Sequence, residues 1–417
     1  MKVLVVGGGG REHAIVTALA KSPKIQTLYC APGNGGIAEL AECVPIKAAD
    51  VPGMVKFAQE KGIDFVVIAP ENPLSLGMAD EMTKAGIRTF GPSQAASIIE
   101  GSKAFSKELM AKYNIPTARY AVFEDAQTAI QYIREQGAPI VVKCDGLALG
   151  KGVVVAQTVA EAEDAVRAMM EDGQFGESGA KVVIEECMTG PEVTVLAFVD
   201  GKTIRPMLSA QDHKRVFDGD LGSNTGGMGA FSPSPKYTAE IADICMETIF
   251  RPTVEAMAKE GRPFKGVLYF GLMLTPEGPK VIEYNARFGD PEAQVVLELL
   301  ETDLLEIFEA VADERLAEID IQWSPQSACC VTLAAGNYPE GYDSGKPITG
   351  LDQVPADITV YHGSTMVEDG VLYINGGRIL SVTAKGDTLA QAVKRAYAGV
   401  EKVHFDGMHY RRDIGSK

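Results

Sequence analysis

The clearest chemistry in the sequence lies in a short polar segment that begins at Glu283. Asn285 stands two positions later and Arg287 two positions after that, at the end of a predicted strand. Side chains alternate along a strand, so Glu283 and Asn285 share one face. A carboxylate and an amide oxygen suit Mg²⁺, with water and nucleotide phosphates as further ligands. Arg287 can bind a carboxylate or a transferring phosphoryl group. The segment predicts a metal-assisted anion site, and the alternative is a polar strand end before a turn.

Two glycine-rich segments predict phosphate sites. Gly7–Gly10 follows a strand and precedes a helix, and the free N–H groups of a helix start, with Arg11 beside them, suit a phosphate. The dinucleotide fingerprint needs a third small residue where this chain has Glu12 or His13, so a nicotinamide cofactor is not expected. The alternative is a plain tight turn.

The second glycine-rich segment, residues 146–152, resembles a P-loop but is one residue too short. It lies between two predicted strands, so we interpret it as a hairpin that closes over phosphates with its backbone N–H groups and Lys151. Lys143, on the strand before it, is expected to have a charged partner if it is buried. The charged segment Asp212–Arg215 precedes the glycines at 226–229 and is a third candidate anion site. The alternative is that it forms a solvated face.

The elements that position these residues begin as an open parallel sheet. Strands are predicted at 2–6, 25–30, 65–69 and 88–90, and helices at 12–20, 54–61 and 78–85, which is a βαβ series of the α/β class. In such a sheet the loops after the strands lie at one edge. The loops at 7–13, 31–36 and 70–77 are therefore expected to converge on one site.

The later elements are more mixed. A helix is predicted at 93–114, strands 153–157 and 181–186 are predicted to pair around a helix at 160–170, and a further strand covers 139–144. More strands follow at 192–199, 203–209, 266–274 and 280–284. Past residues 323–325 a small α+β module is expected. Its clearest feature is a predicted hairpin of 371–374 with 378–383, turned at Asn375-Gly376.

Composition narrows the function classes. The chain has 417 residues with 39 Lys and Arg against 56 Asp and Glu, so its net charge is −17. Nucleic acids and anionic membranes select basic surfaces, so neither is an expected partner. Seven cysteines without a CxxC pair predict reduced thiols in a cytoplasmic protein. No segment approaches the roughly 20 apolar residues that cross a bilayer. A monomer that acts on small molecules is expected.

Taken together, these segments resemble the ATP-grasp superfamily and, within it, the glycinamide ribonucleotide synthetase family. The superfamily features are a lysine-bearing strand, a glycine loop, the acidic pair Glu185-Glu186 at a strand end, and the late Glu-x-Asn. The family segments run through the chain in order: GGREH at 9–13, APGN at 31–34, EGSKAF at 100–105, GLALGKG at 146–152, QDHKR at 211–215, NTGGMGAFSP at 224–233, RFGDPE at 287–292, NGGR at 375–378 and RDIG at 412–415. This collinearity is more specific than any single motif.

The resemblance implies a fold and a reaction. The fold is an N-terminal open parallel-sheet domain over 1–100, a two-lobed ATP-grasp core over 101–323 with its glycine-loop lobe at about 120–190, and a small C-terminal α+β domain over 324–417. The reaction is the ATP-dependent joining of glycine to 5-phosphoribosylamine in purine biosynthesis, through a glycyl phosphate, with Mg²⁺ or Mn²⁺. The products are glycinamide ribonucleotide, ADP and phosphate.

The resemblance also implies roles for individual residues. Those expected at ATP are Lys103, Lys143, Gly146, Gly150, Lys151 and Gly152 around the phosphates, Glu185, Glu186 and Met188 at the adenine, and Glu192 at the ribose. Glu283 and Asn285 match the metal ligands. Arg287 and Asp212 are the expected catalytic residues at the glycine site, with Gly226, Gly227 and Asp290 as substrate contacts. Those expected around phosphoribosylamine are Gly9, Gly10, Arg11, Glu12, Asn34 and Glu71, with Lys214 and Arg215.

Three alternatives remain open from the sequence. Another ATP-grasp carboxylate–amine ligase of nucleotide metabolism, or one that activates formate or bicarbonate, should lack the collinear series. An NAD-binding oxidoreductase should have the third glycine and an acidic residue after the second strand. A catalytically silent nucleotide-binding regulator should have lost Lys143, Glu283 or Asn285.

Overall fold

The first hundred residues form an open parallel sheet with helices on both faces. The computed structural model describes residues 1–147 and 152–416 of the chain. The strands are β1 (Lys2–Gly7), β2 (Thr27–Pro32), β3 (Glu42–Cys43), β4 (Phe65–Ile68) and β5 (Arg88–Phe90), and the helices are α1 (Gly10–Leu19), α2 (Val51–Lys61), α3 (Glu71–Ser75) and α4 (Met78–Lys84). All pairings are parallel, in the order β3-β2-β1-β4-β5. The predicted open parallel sheet is confirmed.

The helix predicted over 93–114 is two helices, α5 (Gln94–Gly101) and α6 (Lys103–Lys112). Ser102 between them has an extended backbone, and its hydroxyl accepts a hydrogen bond from the Phe105 amide, so it caps α6. The hydrophobic pattern continues across the break, which hid it from the sequence. The break places Lys103 in the first turn of α6, where Nζ donates to the Gly146 carbonyl at 3.2 Å.

The lobe that carries the glycine loop is a four-stranded antiparallel sheet covered by two helices. Its elements are β6 (Tyr120–Phe123), α7 (Ala126–Gln136), β7 (Ile140–Cys144), β8 (Val153–Ala156), α8 (Val159–Met170) and β9 (Val182–Glu186). The strand order is β6-β9-β7-β8, so the predicted direct pairing of 153–157 with 181–186 is wrong. β8 pairs with one edge of β7 and is itself an edge strand, while β9 pairs with the other edge of β7 and with β6.

A second antiparallel sheet forms the larger lobe and presents the Glu283 segment. The elements of this part are β10 (Glu192–Asp200), β11 (Ile204–Pro206), β12 (Gln211–Asp212), β13 (Arg215–Phe217), β14 (Leu221–Asn224), β15 (Gly229–Ser232), α9 (Ala239–Cys245), α10 (Arg251–Lys259), β16 (Lys265–Thr275), β17 (Gly278–Asn285), α11 (Glu292–Val296) and α12 (Leu304–Ala312). The sheet order is β11-β10-β16-β17. A π-helical turn over Met246–Phe250 joins α9 to α10.

The C-terminal part contains a five-stranded and a three-stranded sheet. Its elements are β18 (Ser327–Ala334), β19 (Ser344–Pro347), β20 (Ile358–His362), β21 (Thr365–Glu368), β22 (Val371–Asn375), β23 (Arg378–Gly386) and α13 (Leu389–Val400). The predicted hairpin of 371–374 with 378–383 is wrong, since β22 pairs with β21 and β19, while β23 pairs with β18 and β20. Ser364 explains the separation, because it accepts from the Asn375 amide and donates its own amide to the Arg378 carbonyl, so it lies between the two strands.

The C-terminal five-stranded sheet takes two of its strands from the middle of the chain. Its order is β12-β15-β18-β23-β20, and β15 pairs with β18 over Gly229–Ser232. The buried core is also shared, since Val5, Phe198, Phe308, Cys330 and Tyr361 belong to one hydrophobic cluster. In the part of the chain that the structure describes, no helix is both long and apolar enough to cross a membrane.

Two buried histidines join the first helix to the C-terminal sheet. The His362 amide donates to His13 Nδ1 at 2.8 Å, and the two ring centroids lie 5.5 Å apart. Burial, with a smaller effect of His362, lowers the pKa of His13 to about 3, and burial lowers the pKa of His362 to about 4. Both rings are therefore neutral in the folded protein at pH 7.

This contact predicts acid sensitivity. The unfolded chain binds protons on these rings below a pH of about 6.5 and the folded chain does not, so the free energy of unfolding should fall as the pH drops from 6.5 toward 4. His13→Asn, which keeps an acceptor but does not titrate, should reduce the loss between pH 7 and 4.5 by about 2 kcal/mol in urea unfolding. His404→Gln, at an exposed position, is the control and should leave the loss unchanged. An unchanged loss in His13→Asn would contradict the prediction.

Candidate active site

Arg287 follows β17 and lies between two carboxylates from other segments. Its Nε is 3.3 Å from Glu71 Oε2 at the start of α3, and its Nη2 is 2.9 Å from Glu100 Oε1 near the end of α5. Burial works to lower the pKa of Arg287, but Glu100 and Glu71 outweigh it and the pKa is raised. Burial also disfavours the charged form of Glu71, yet Arg287 and Arg11 lower its pKa to about 2. Burial raises the pKa of Glu100, against the effect of Arg287.

Arg11, in the first turn of α1, extends this row of charges. Its Nη2 lies 3.7 Å from Glu71 Oε2, its Nε 2.6 Å from Glu12 Oε1, and its Nη1 donates to the Phe288 carbonyl at 3.1 Å. Burial opposes the charge of Arg11, but Glu12, Glu71 and Asp290 raise its pKa. Glu12 Oε2 accepts from the Gly9 amide at 2.6 Å, so this N–H, expected to be free for a phosphate, already has a partner.

The three loops predicted to converge do so around Arg11. The amide nitrogen of Asn34 donates to the carbonyls of Gly8 and His362, at 2.9 and 2.7 Å, and its oxygen accepts from the Gly36 amide at 3.0 Å. The Asn34 side chain therefore shapes the loop through backbone contacts. Gly10 lies in the first turn of α1, where a Cβ atom would stand 2.6 Å from Gln294 Nε2. This close approach packs the glycine segment against α11.

Asp290 and Arg378 hold the glycine loop at 226–227 in place. Arg378 Nη1 donates to the carbonyls of Gly226 at 2.9 Å and Asp290 at 2.7 Å, and its Nη2 lies 3.3 Å from Asp290 Oδ2. Gly227 has φ +119°, and a Cβ atom there would collide with Pro291, so only glycine suits this position. Burial disfavours the charged form of Asp290, but Arg378 and Arg11 lower its pKa.

Lys214 lies among carboxylates on the side of the site that faces β17. Its Nζ is 3.5 Å from Glu192 Oε2 and 3.6 Å from Glu283 Oε1. Burial works to lower the pKa of Lys214, but Asp212, Glu192 and Glu283 raise it. Burial raises the pKa of Asp212 to about 7, with Lys214 opposing the shift and the nearby glutamates adding to it. Arg215 instead lines a cleft of about 310 Å³ beside Val153–Val155.

A buried group of three charges occupies the cleft between the two lobes. Glu185 lies between two lysines, with Lys143 Nζ 2.9 Å from Oε1 and Lys107 Nζ 3.0 Å from Oε2. All three side chains are at most 5% exposed. Lys143 thus has the charged partner that its buried position requires, and Lys107 also donates to Thr117 Oγ1. Burial lowers the pKa of Lys107 to about 8, against the effect of Glu185.

The remaining residues expected at ATP surround this group. Glu186 pairs with Arg119 at 2.7 Å, and Met188 is half-buried two residues beyond β9. Gly146 accepts from Lys103 Nζ, and Gly152, which is buried, accepts from the Cys144 amide at 2.9 Å. Gly150 and Lys151 lie outside the described residues. The glycine segment thus begins beside Lys103 and ends beside Cys144.

The residues present fit a divalent cation. Glu283 and Asn285 lie two positions apart on β17, and the Glu283 carboxylate already faces the Lys214 ammonium, which shows that a cation is favoured there. Lys214 and Lys143 lower the pKa of Glu283 against the effect of burial. Across the described residues no group of three or more His, Cys, Asp or Glu side chains could hold a metal alone. A metal held by these two residues would need phosphate oxygens and water as further ligands.

Three residues of this site were missed from the sequence. Glu100, Lys107 and Arg378 all make contacts with residues predicted to be functional, at 2.9 Å to Arg287, 3.0 Å to Glu185 and 2.7 Å to the Asp290 carbonyl. Glu100 and Arg378 stand in EGSKAF and NGGR, two of the segments that carry the resemblance, so that signal was present. Lys107 lies on a helix whose surface pattern gives no sign of burial.

Comparisons with known proteins agree with this arrangement. Three family models match the chain in order: "Phosphoribosylglycinamide synthetase, N domain" over residues 1–100, "Phosphoribosylglycinamide synthetase, ATP-grasp (A) domain" over 101–293 and "Phosphoribosylglycinamide synthetase, C domain" over 328–417. Similar curated proteins, both named phosphoribosylamine–glycine ligase, come from Vibrio parahaemolyticus and Brucella melitensis. They are 48% and 50% identical over 100% of this chain and 98% and 97% of theirs.

Solved structures extend the comparison to the fold. Phosphoribosylamine–glycine ligase from Thermotoga maritima is 33% identical, covers 99% of this chain and 100% of its own, and superposes with a TM-score of 0.85. The biotin carboxylase domain of Hydrogenobacter thermophilus 2-oxoglutarate carboxylase shares only 17% identity but has a TM-score of 0.76 over 98% of this chain and 91% of its own, a likeness of fold alone. The family resemblance drawn from the sequence is confirmed, and the chain belongs to the phosphoribosylglycinamide synthetase family, with an ATP-grasp core.

Proposed function

We propose that this chain is the ligase that joins glycine to 5-phosphoribosylamine with ATP, giving glycinamide ribonucleotide, ADP and phosphate in purine biosynthesis. The observation that carries the proposal is the full-length identity of 46–50% with relatives named phosphoribosylamine–glycine ligase. The paired cations around Arg287 and the lysines between the lobes support it, because the substrates bring a carboxylate and phosphates. The direct test is ADP release with glycine and freshly made phosphoribosylamine, omitting each in turn and offering formate and bicarbonate instead.

The first chemical step activates glycine. A carboxylate is a poor acyl donor, because attack by an amine would have to expel an oxide ion. Transfer of the γ-phosphoryl group of ATP forms an oxygen–phosphorus bond on the carboxylate, breaks the bond to the β-phosphate oxygen and releases ADP. In our proposal Arg287 binds the transferring phosphoryl group, and Lys103 and Lys143 bind the ATP phosphates. The pairing of Lys143 with Glu185 and of Arg287 with Glu71 and Glu100 positions these cations beforehand.

The second step makes the amide. The amine of phosphoribosylamine attacks the acyl carbon, a carbon–nitrogen bond forms, and the carbon–oxygen bond to phosphate breaks as phosphate leaves with its electron pair. The attacking nitrogen releases one proton to water. No enzyme nucleophile is required, since the acyl phosphate is already activated. We assign Asp212 to the ammonium group of glycine, and Gly226, Gly227 and Asp290 to the walls of its pocket. Gly9, Gly10, Arg11, Glu12, Asn34 and Glu71, with Lys214 and Arg215, are the proposed contacts of phosphoribosylamine.

A divalent cation belongs to this proposal, with Glu283 and Asn285 as its protein ligands. When bound it neutralises phosphate charge, which lowers the barrier to phosphoryl transfer. We infer Mg²⁺ or Mn²⁺ from the oxygen donors. The proposed nucleotide contacts are completed by Gly146, Gly150, Lys151 and Gly152 at the phosphates, Glu185, Glu186 and Met188 at the adenine, and Glu192 at the ribose.

The cellular location and the oligomeric state are part of the same proposal. The free thiols of the seven cysteines support a cytoplasmic enzyme. We propose a monomer with three regions, 1–100, 101–323 and 324–417, the glycine-loop lobe covering about 120–190. Light scattering on the purified protein tests the oligomeric state.

The metal assignment predicts that Glu283→Ala and Asn285→Ala fold normally but lose at least about 100-fold in kcat, because phosphoryl transfer depends on neutralised phosphates. Both should be assayed across a magnesium titration, with circular dichroism as the check on folding. Glu277→Ala is the matched control, since Glu277 lies at the other end of the β16–β17 hairpin and pairs only with Lys280 in the described contacts. Near-normal turnover of either variant at limiting magnesium would contradict the assignment.

The site in the first domain predicts that a substitution there changes the KM for phosphoribosylamine and not the KM for ATP. Arg11→Ala should raise the KM for phosphoribosylamine about 10- to 100-fold, the value of a lost charged hydrogen bond, and change the KM for ATP little. Arg88→Ala is the control, because Arg88 is also paired with two carboxylates, Glu309 and Asp313, but lies away from the site. A large change in the KM for ATP with an unchanged KM for the amine would instead place the nucleotide in the first domain.

The acyl phosphate predicts an isotope transfer. Glycine labelled with ¹⁸O in its carboxylate should deliver one labelled oxygen to the phosphate product, because the bridging oxygen leaves with phosphorus. Mass spectrometry of phosphate from a single turnover measures this, with unlabelled glycine in ¹⁸O-water as the control for exchange. Unlabelled phosphate would eliminate the glycyl phosphate.

A further inference from the structure

Glu100 has a place in this site that the chemistry above does not use. It is the penultimate residue of α5, its side chain is 7% exposed, and it reaches across to the end of β17. Its Oε2 accepts from the Ala286 amide at 2.8 Å, and its Oε1 lies 2.9 Å from Arg287 Nη2. One buried carboxylate thus contacts two consecutive residues that follow the proposed metal ligand Asn285.

The side chain of Asn285 adds a third contact. Its amide has two orientations that exchange oxygen and nitrogen. With the oxygen toward Glu100, two acceptors face each other, and the amide oxygen gains only a 3.5 Å hydrogen bond from Arg287 Nη2. With the nitrogen toward Glu100, Nδ2 donates to Glu100 Oε1 at 3.0 Å and to the Tyr284 carbonyl at 3.3 Å. The second orientation is favoured, because a buried acceptor opposite a carboxylate is costly.

This orientation decides which atom of the Asn285 amide is available to bind a metal ion. An amide has its oxygen and nitrogen at opposite sides, so a nitrogen bound to Glu100 leaves Oδ1 at the side that does not face Glu100. Only the oxygen can bind a hard cation, since an amide nitrogen has no available lone pair. A glutamate at position 100 therefore selects the oxygen as the donor.

We propose that Glu100 is a positioning residue of the reaction: its carboxylate orients the amide of Asn285, so that Oδ1 binds the divalent cation, and the guanidinium of Arg287. The inference rests on the proposed function, in which Asn285 is a metal ligand and Arg287 binds the phosphoryl group. It adds a residue that touches neither substrate nor metal and acts through the two that do.

The chemistry of the Glu100→Gln substitution makes the inference testable. Three groups face Glu100: the Ala286 amide, Asn285 Nδ2 and Arg287 Nη2. All of them carry N–H groups, from which a carboxylate can accept hydrogen bonds. In Glu100→Gln the new amide oxygen faces the Ala286 amide, whose direction is fixed by the chain, so the new NH₂ group faces Asn285 and also the Arg287 guanidinium, whose ion pair with position 100 is lost. The Asn285 amide then turns over to offer its oxygen, and its nitrogen points to the cation. Adding Asn285→Asp to the same chain removes that conflict, because a carboxylate there accepts from the new NH₂ group and still offers the metal an oxygen.

The experiment measures Mn²⁺ binding by electron paramagnetic resonance in the presence of a non-hydrolysable ATP analogue. Glu100→Gln should weaken Mn²⁺ about tenfold, which corresponds to about 1.4 kcal/mol for one misdirected ligand. The double variant Glu100→Gln/Asn285→Asp should bind Mn²⁺ within about threefold of Asn285→Asp alone. Glu298→Gln is the control: Glu298 is a largely buried acceptor whose contacts are with Thr359, Tyr361 and Lys385 of the C-terminal sheet, and Mn²⁺ affinity should not change.

The outcomes separate this inference from the proposed function. If Asn285→Ala binds Mn²⁺ normally, the metal assignment is wrong and the role of Glu100 falls with it. If Asn285→Ala weakens Mn²⁺ but Glu100→Gln does not, or if the double variant is about tenfold weaker than Asn285→Asp alone, the positioning role alone is wrong. Asn285→Asp alone is the reference for the double variant, because a carboxylate binds Mn²⁺ more strongly than an amide oxygen does. A purely structural role for Glu100 would give Glu100→Gln the same tenfold effect in a chain that carries Asn285→Asp.

A second measurement keeps the test decisive if Glu100→Gln does not fold. In the unmodified protein labelled with ¹⁵N-asparagine, the side-chain NH₂ signal that disappears in Asn285→Ala belongs to Asn285. Its protons should exchange with solvent at least about tenfold more slowly than those of Asn337, which is exposed. Equal exchange would show that the nitrogen is not bound to Glu100 and would overturn the inference.

Discussion

The guanidinium of Arg287 joins parts of the chain that are otherwise far apart in sequence. Glu71 reaches it from the first domain, Glu100 from the helix that ends that domain, and Arg287 itself follows the strand that carries Glu283. Burying an arginine between two carboxylates is tolerated only when the geometry satisfies all of them, and removing one partner leaves a buried charge uncompensated. The relative position of the first domain and the larger lobe is therefore coupled to the charge balance of the site. Domain arrangement and chemistry depend on the same three side chains.

The substrates of the proposed reaction bring phosphates and a carboxylate, and the structure shows how a chain with net charge −17 concentrates cations locally. Lys107 and Lys143 share one carboxylate between the lobes, and Arg11 and Arg287 share Glu71. The two lysines are held by a single anion and carry an excess of positive charge, whereas Arg11 and Arg287 are balanced by Glu12 and Glu100 in addition to Glu71. Their positions are fixed before any ligand arrives, which reduces the reorganisation that binding requires. The carboxylates thus serve the binding of anions by immobilising the cations.

Sequence patterns predicted the strands and helices well and their pairing less well. The parallel sheet, the lysine-bearing hairpin and the polar end of β17 all follow from local patterns. The prediction of a hairpin at Asn375-Gly376 was wrong. A favourable turn dipeptide still allows a third segment to lie between the two strands, and here Ser364 does so. Glu100 and Arg378 were missed although both stand in segments that carry the resemblance, because their contacts are with residues distant in sequence. Lys107 could not be predicted, since helix periodicity does not show its burial. Glu185 was expected at the adenine, and its side chain proves to be the partner of two lysines.

The C-terminal sheet contains two strands from the middle of the chain, which affects how this protein can be cut into fragments. The sequence suggests that a cut near Trp323 would release a separate module, but β12 and β15 would remain with the larger piece, and β18 would lose one of its two neighbours. Each fragment would then expose an unpaired strand edge, which invites aggregation. Arg378 would also be removed from the loop at Gly226 and Gly227. A fusion partner, an affinity tag or a split-protein reporter inserted at this sequence boundary would therefore interrupt a single folding unit, not a linker.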